Sequence, residues 1–280
     1  MVKREFTFPS ADGKTAIHAV EWLPEGAPRA VLQIAHGVSE YVLRYEDFAG
    51  YLTERGFAVV GNDHLGHGLS VSDGAPRLYF GPKGSWNWVV EDMEQLRKLT
   101  HEKFPNLPYF LLGHSMGGRA VSLYLDGRDY PVTAAALWSP ADNTGLDGLE
   151  FLAHDADERA ALRQTADENG SVELPQWGVA AGAALFDEMA ASDPCGVLAG
   201  YPGALLAAFT GGDAELLSED TVALVQNTLA TRDLPFVDMT NDFPDANHNY
   251  QAAEGSDASD AEIAARIENA TAEFLVSALR

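Results

Sequence analysis

Five short apolar runs constrain this chain more than anything else in it: "AVLQIA" at 30–35, "FAVVG" at 57–61, "YFLLG" at 109–113, "TAAALW" at 133–138 and "ALLAAF" at 204–209. Each is too short for an ordinary helix. Apart from Gln33 in the first, each is apolar at consecutive positions rather than alternate ones, which is how a strand reads when both of its faces are buried. Segments of helical length separate them, at 45–55 (ending at Gly56), 85–104, Ser115 to about Leu125, and 218–231, with a last one at 258–279. Parallel strands joined by helices that cover both faces of the sheet satisfy that pattern. The fold class is therefore α/β, with a mostly parallel central sheet. "PFVDMT" at 235–240 supplies a last strand. Residues 4–9 and 15–23 alternate apolar and polar around Asp12-Gly13, which predicts an N-terminal hairpin.

The rhythm breaks after Pro140. Residues 141–200 mix an acidic helix ("DADERAALRQTADE"), a short hairpin ("GSVELPQWG") and a helix of small residues ending at "SDPCG". The expected division is a first part of the core at 1–140, a short cap inserted after the sixth strand at 141–200, and a second part of the core at 201–280. At 280 residues, the chain suits one large domain of this kind.

Charge narrows the partners. Against 42 Asp and Glu there are 18 Lys and Arg, a net charge of −24, and the last lysine is Lys103. Such a surface repels nucleic acid and anionic membranes. It favours solubility and is also the composition of a protein adapted to salt. No apolar run reaches the roughly 18 to 20 residues that a membrane span needs. "MVKREFTF" has no apolar stretch behind it, so no signal peptide is expected. One cysteine, Cys195, offers no internal disulfide. The expected location is the cytoplasm.

"LLGHSMGGRA" at 111–120 ends one of the apolar runs on a serine between glycines. Gly-x-Ser-x-Gly between a strand and a helix is the sharp turn that lifts a serine hydroxyl clear of a sheet. A glycine-rich turn with a passive serine is the plainer reading. A nucleophilic serine needs a base, which in this arrangement follows the acid and the serine in chain order. Two histidines lie beyond Ser115. His154 falls in the acidic insertion, and His248 in the loop "FPDANHNY" after the last strand. His248 is the expected base. The acid is expected on the turn after the seventh strand, "FTGGDAELLS".

Residues 36–70, "HGVSEYVLRYEDFAGYLTERGFAVVGNDHLGHGLS", carry His-Gly, Glu, Arg-Tyr, Phe-Ala and Asp-His-x-Gly-His-Gly-x-Ser elements in register. With the serine turn, they resemble the monoacylglycerol lipase and lysophospholipase group of α/β-hydrolases. The second half, with "LWSPAD" and "DANH", also resembles cinnamoyl and feruloyl esterases. The resemblance implies a serine hydrolase that cleaves a small-molecule ester, of a single acyl chain or a small aromatic acid, without a cofactor. It places the oxyanion hole at the backbone N–H groups of Val38 and Met116. The rival implied by the same fold is a binding protein with a degenerate acid.

That rival arises from one departure. In the resembled families the acid turn reads Gly-x-x-Asp, a variable residue and two aliphatics, which puts Ala214 where the acid belongs. Asp213 and Glu215 flank it, and Asp142, after the sixth strand, is a further origin used in some relatives. Asp213 is the expected acid, reached by a one-residue slip. His36 is read as bracing its loop. His64 and His67 have a spacing that can ligate zinc, but no Cys or third ligand accompanies them, so a hydrogen-bonded loop and no metal are expected. Trp86 and Trp88 read as packing or rim residues, and Trp177 as a pocket or packing residue of the cap.

Overall fold

A computed structural model describes residues 1–72, 75, 77, 85–127, 131–150, 152–174 and 179–279 of the 280. β1 (Val2–Pro9) and β2 (Ala16–Leu23) form the N-terminal hairpin. β3 (Ala30–Ala35), α1 (Glu46–Thr53), β4 (Phe57–Asn62), α2 (Ser85–Lys103), β5 (Tyr109–His114), α3 (Met116–Tyr124) and β6 (Ala134–Trp138) then alternate. The chain leaves the sheet through α4 (Ala156–Asn169), the paired strands β7 (Ser171–Leu174) and β8 (Val179–Gly182), α5 (Ala183–Ala191) and α6 (Pro194–Gly200). It returns as β9 (Ala204–Thr210), α7 (Glu219–Ala230), β10 (Phe236–Phe243) and α8 (Asp260–Ser277).

The central sheet has eight strands in the order β1-β2-β4-β3-β5-β6-β9-β10. β1, β2 and β4 pair antiparallel, and every pairing from β4 to β10 is parallel. Successive side chains of a strand point to opposite faces, and here both faces are dry. Val31, Leu111, Ala135 and Leu205 join the core under α2, α3 and α7. Their chain neighbours Leu32, Leu112, Ala136 and Leu206 join the core under α1 and α8. Unbroken apolar runs are thus the direct consequence of helices on both sides.

The inserted segment is less uniform than its sequence suggests. The helix of small residues is two helices, because Asp193 accepts from the N–H of Gly196 at 2.9 Å and Pro194 opens a new first turn. α5 packs on α2, whereas α6 packs on α3 and α7 in the helical layer. The turn of the β7–β8 hairpin lies outside the described residues. β10 runs three residues further than its apolar pattern. It slips register against β9 between Met239, paired with Ala208, and Phe243, paired with Thr210. Among the described residues, no helix is long and apolar enough to cross a membrane.

Candidate active site

One residue, Ser115, separates β5 from α3, and it is held at φ 53°, ψ −120°. A non-glycine residue is strained there by about 1–3 kcal/mol, so its surroundings must impose the conformation. They do so from both sides. The Ser115 N–H donates to the carbonyl of Trp138 at 2.8 Å, and its own carbonyl accepts from Arg119 N–H at 3.2 Å. The neighbouring glycines are a matter of space. A Cβ on Gly117 would lie 2.1 Å from the carbonyl oxygen of Ala35. α3 therefore starts hard against the end of β3, and the serine stands at the carboxyl edge of the parallel strands, where ligands of open α/β sheets bind.

His248 reaches the same edge from the loop after β10. Its Nδ1 lies 2.6 Å from Asp213 Oδ1. The other oxygen of Asp213 accepts from the N–H of Thr210 at 2.7 Å and the hydroxyl of Ser139 at 2.8 Å. Three donors fix the carboxylate, and the carboxylate assigns the histidine proton to Nδ1. Nε2 is buried with no hydrogen-bond partner among the described residues. His248 and Ser115 line one cavity of about 220 Å³ with Gly37, Val38, Leu216 and Asn249. Met116, the other expected oxyanion donor, opens α3, so its N–H is one that no intrahelical carbonyl satisfies.

The turn after β9 comes this close because of Gly211 and Gly212. A Cβ on the first would lie 2.3 Å from the Pro244 carbonyl oxygen, and on the second 2.7 Å from Asn247 Cα. The chain then enters a short 3-10 turn, Asp213–Glu215, which points Asp213 inward and leaves Ala214 and Glu215 exposed. The Glu215 carbonyl takes a hydrogen bond from Nε2 of the exposed His154 at 2.8 Å. Asp142 is buried and accepts from the Ser122 hydroxyl at 2.6 Å, and burial lifts its carboxyl to about 6. Of the three candidate carboxylates, Asp213 is the one brought to His248. Ser139 is a residue of this site that the sequence did not single out. Its only signal is a Ser-Pro pair ending an apolar strand.

Behind the cavity, the 63–70 loop is packed rather than open. His36 donates from Nδ1 to the Gly37 carbonyl at 2.8 Å and accepts at Nε2 from His64 N–H at 2.9 Å. The ring of His36 packs at a tilt against those of His64 and His67, with centroids 4.3 and 5.2 Å away. Burial pushes the His67 ring down to about 3 and the His64 ring well below its ordinary value, so both are neutral. Asp63 accepts from the N–H groups of Val42 and Leu69 at 2.7 and 2.9 Å. Among the described residues, no three His, Cys, Asp or Glu side chains converge to hold a metal. Trp86 is buried and Trp88 half-buried, while Trp177 lies outside the described residues.

Comparison with known proteins agrees with this architecture. The family profile described as serine aminopeptidase, S33 matches residues 26–166, half of the chain. A monoacylglycerol lipase of Mycolicibacterium smegmatis is 35% identical over 143 residues, covering 50% of this chain and 48% of that protein. Human monoglyceride lipase is 34% identical over 119 residues, 42% of this chain and 37% of that one. The matched segment thus spans about half or less of these relatives' length. A thermostable carboxyl esterase from Bacillus coagulans superposes over 100% of both chains, with a TM-score of 0.75 at 21% identity, a likeness that establishes the fold. The chain belongs to the serine aminopeptidase S33 family of α/β-hydrolases.

Proposed function

We propose that the protein hydrolyses carboxylic esters through an acyl-enzyme on Ser115, with His248 as base and Asp213 as acid. The observation that carries this reading is the 2.6 Å contact between His248 Nδ1 and Asp213, in a cavity that His248 shares with Ser115. The Ser115 oxygen attacks the ester carbonyl carbon while Nε2 of His248 takes its proton. The N–H groups of Val38 and Met116 hold the oxyanion, each donor contributing about 3 kcal/mol to the transition state. The alcohol leaves with the proton from His248, and a water molecule repeats the sequence to release the acid. All of these groups belong to the chain, so no cofactor enters. Relatives named as monoacylglycerol and monoglyceride lipases support an ester of a single acyl chain. Residues 141–200 are proposed as a cap between the two parts of the core, 1–140 and 201–280.

A fluorophosphonate probe together with p-nitrophenyl butyrate tests the reading. Wild type should label and hydrolyse, and Ser115→Ala should do neither while unfolding at a similar temperature. His248→Ala should lose hydrolysis, and His154→Ala should keep it. Hydrolysis surviving in Ser115→Ala at the wild-type rate would overturn the mechanism.

A further inference from the structure

Glu40, Arg44 and Tyr45 belong to the segment that carries the family elements, and His114 immediately precedes the nucleophile, yet none has a step in the proposed reaction. They meet in one cluster, with Glu40, Tyr45 and His114 buried and Arg44 at its solvent edge. Oε2 of Glu40 accepts from the N–H of Gly37 at 2.8 Å and the hydroxyl of Tyr45 at 2.9 Å. Its Oε1 accepts from Arg44 at 2.5 Å and lies 3.1 Å from His114 Nδ1. The other nitrogen of His114 donates to the His248 carbonyl at 2.9 Å. Arg44 donates in turn to the Asn249 carbonyl at 2.8 Å. Space is tight: a Cβ on Gly37 would lie 3.0 Å from His114 Nδ1.

Both ring nitrogens of His114 face acceptors, which assigns it as the doubly protonated imidazolium. Burial opposes that charge, but Glu40 outweighs it and raises His114. Burial likewise opposes the Glu40 carboxylate, and His114 and Arg44 hold it well below the usual range. A buried carboxylate is tolerated when its lone pairs are occupied, and here four donors occupy them. Those donors come from different parts of the site. Gly37 leads into the oxyanion donor Val38, His114 leads into Ser115, and the far sides of His114 and Arg44 grip the backbone of the base loop.

We propose that Glu40, His114 and Arg44 are positioning residues, a single ionic cluster that holds the oxyanion loop at 37–38 and the base loop at 248–249 in register on the nucleophile turn. The proposal rests on the esterase reading above. A displacement of about 1 Å at a reacting group can cost on the order of 10²-fold in rate.

Titration with a p-nitrophenyl phosphonate, which releases one p-nitrophenolate for each serine it labels, counts competent sites, and kcat per titrated site for p-nitrophenyl butyrate then reports their alignment. His114→Leu and Glu40→Gln should lower kcat per site about 10²-fold with KM within about twofold. His114→Gln retains an N–H toward the His248 carbonyl and should recover about tenfold of that loss. Arg44 is one-third exposed, so Arg44→Gln should fold normally and lose about tenfold in kcat per site. A purely structural cluster would lower the number of titratable sites and leave kcat per site unchanged, and that result would overturn the proposal. Unchanged kcat in Arg44→Gln would overturn it even if the buried variants do not fold. A wild type that fails to label would instead overturn the esterase reading, before any variant is compared.

Discussion

Asp213 accepts three hydrogen bonds, but only the one to His248 touches the proposed chemistry. Asp213→Asn keeps the size of the side chain and can present an N–H to Nδ1, which drives the histidine proton to Nε2, where the base must be free. The expected loss is up to about 10⁴-fold in kcat. Asp142→Asn should stay within a few-fold of wild type, since Asp142 is turned to Ser122. A p-nitrophenyl ester assay at fixed pH compares the two, and equal losses would defeat the assignment. Gly117→Ala should abolish labelling and lower the melting temperature together, because its Cβ would be driven against the Ala35 carbonyl. The placement of Ser115 on a strand-to-helix turn and of His248 in the loop after the last strand was legible in the sequence, because a strand-turn-helix pattern and chain order both operate along the chain. Asp213 was legible only as one of three carboxylates. What selects it is the press of Gly211 and Gly212 on the 244–247 backbone, a contact between segments more than thirty residues apart. Ser139 was not legible at all, since its partner Asp213 arrives on a turn more than seventy residues later.

Elements were easiest to read where burial alone dictates pattern. β3 to β6 and β9 match their apolar runs to within a few residues, because both of their faces meet a dry layer, whereas the edge strands β1 and β10 are largely exposed or half-buried. Inside 141–200 the split between α5 and α6 depends on one cap, Asp193 with Pro194, rather than on periodicity. The Asp63–Ser70 loop illustrates a different gap. His-x-x-His spacing cannot tell a ligand pair from buried neutral rings packed against one another, because only burial decides it. That burial makes the loop a source of acid sensitivity. With its folded value near 3, His67 stays neutral in the native state while the unfolded chain takes up a proton below about 6.5. Stability therefore falls as pH drops from about 6.5 towards 3, on the order of 3 kcal/mol by pH 4 for this one group. Asp142 and Asp92, raised by burial to about 6 and about 7, act with the opposite sign between their unfolded values and those. The clean measurement is a difference: urea midpoints of wild type and His67→Gln from pH 4 to 7. The variant should show the shallower fall on the acid side. Parallel curves would mean that the ring titrates alike in both states.

For the molecule as a whole the dominant number is −24. Several of its 18 cationic side chains are already committed, among them Lys3 to Glu46, Arg97 to Glu94, Lys103 to Glu21 and Arg266 to Asp245. The surplus carboxylates therefore repel one another across a surface with few counter-charges. Folding gathers them and unfolding spreads them, so repulsion opposes the compact state. Salt relieves it without changing any contact. The screening length falls from about 10 Å at 0.1 M to about 3 Å at 1 M, shorter than most separations between surface charges. Raising sodium chloride over that range should raise the melting temperature, by roughly 2–4 °C for each kcal/mol of repulsion removed. Exposed ion pairs are screened as well, but each contributes only about 0–1 kcal/mol, too little to reverse the sign. Potassium chloride at the same ionic strength should give the same shift if screening is the cause. The buried Glu40–His114 cluster lies away from bulk water, so kcat should change much less than stability over the same range. A melting temperature that stays level or falls with salt would mean that the acidic surface is already balanced locally. In that case net charge alone does not set the stability of this fold.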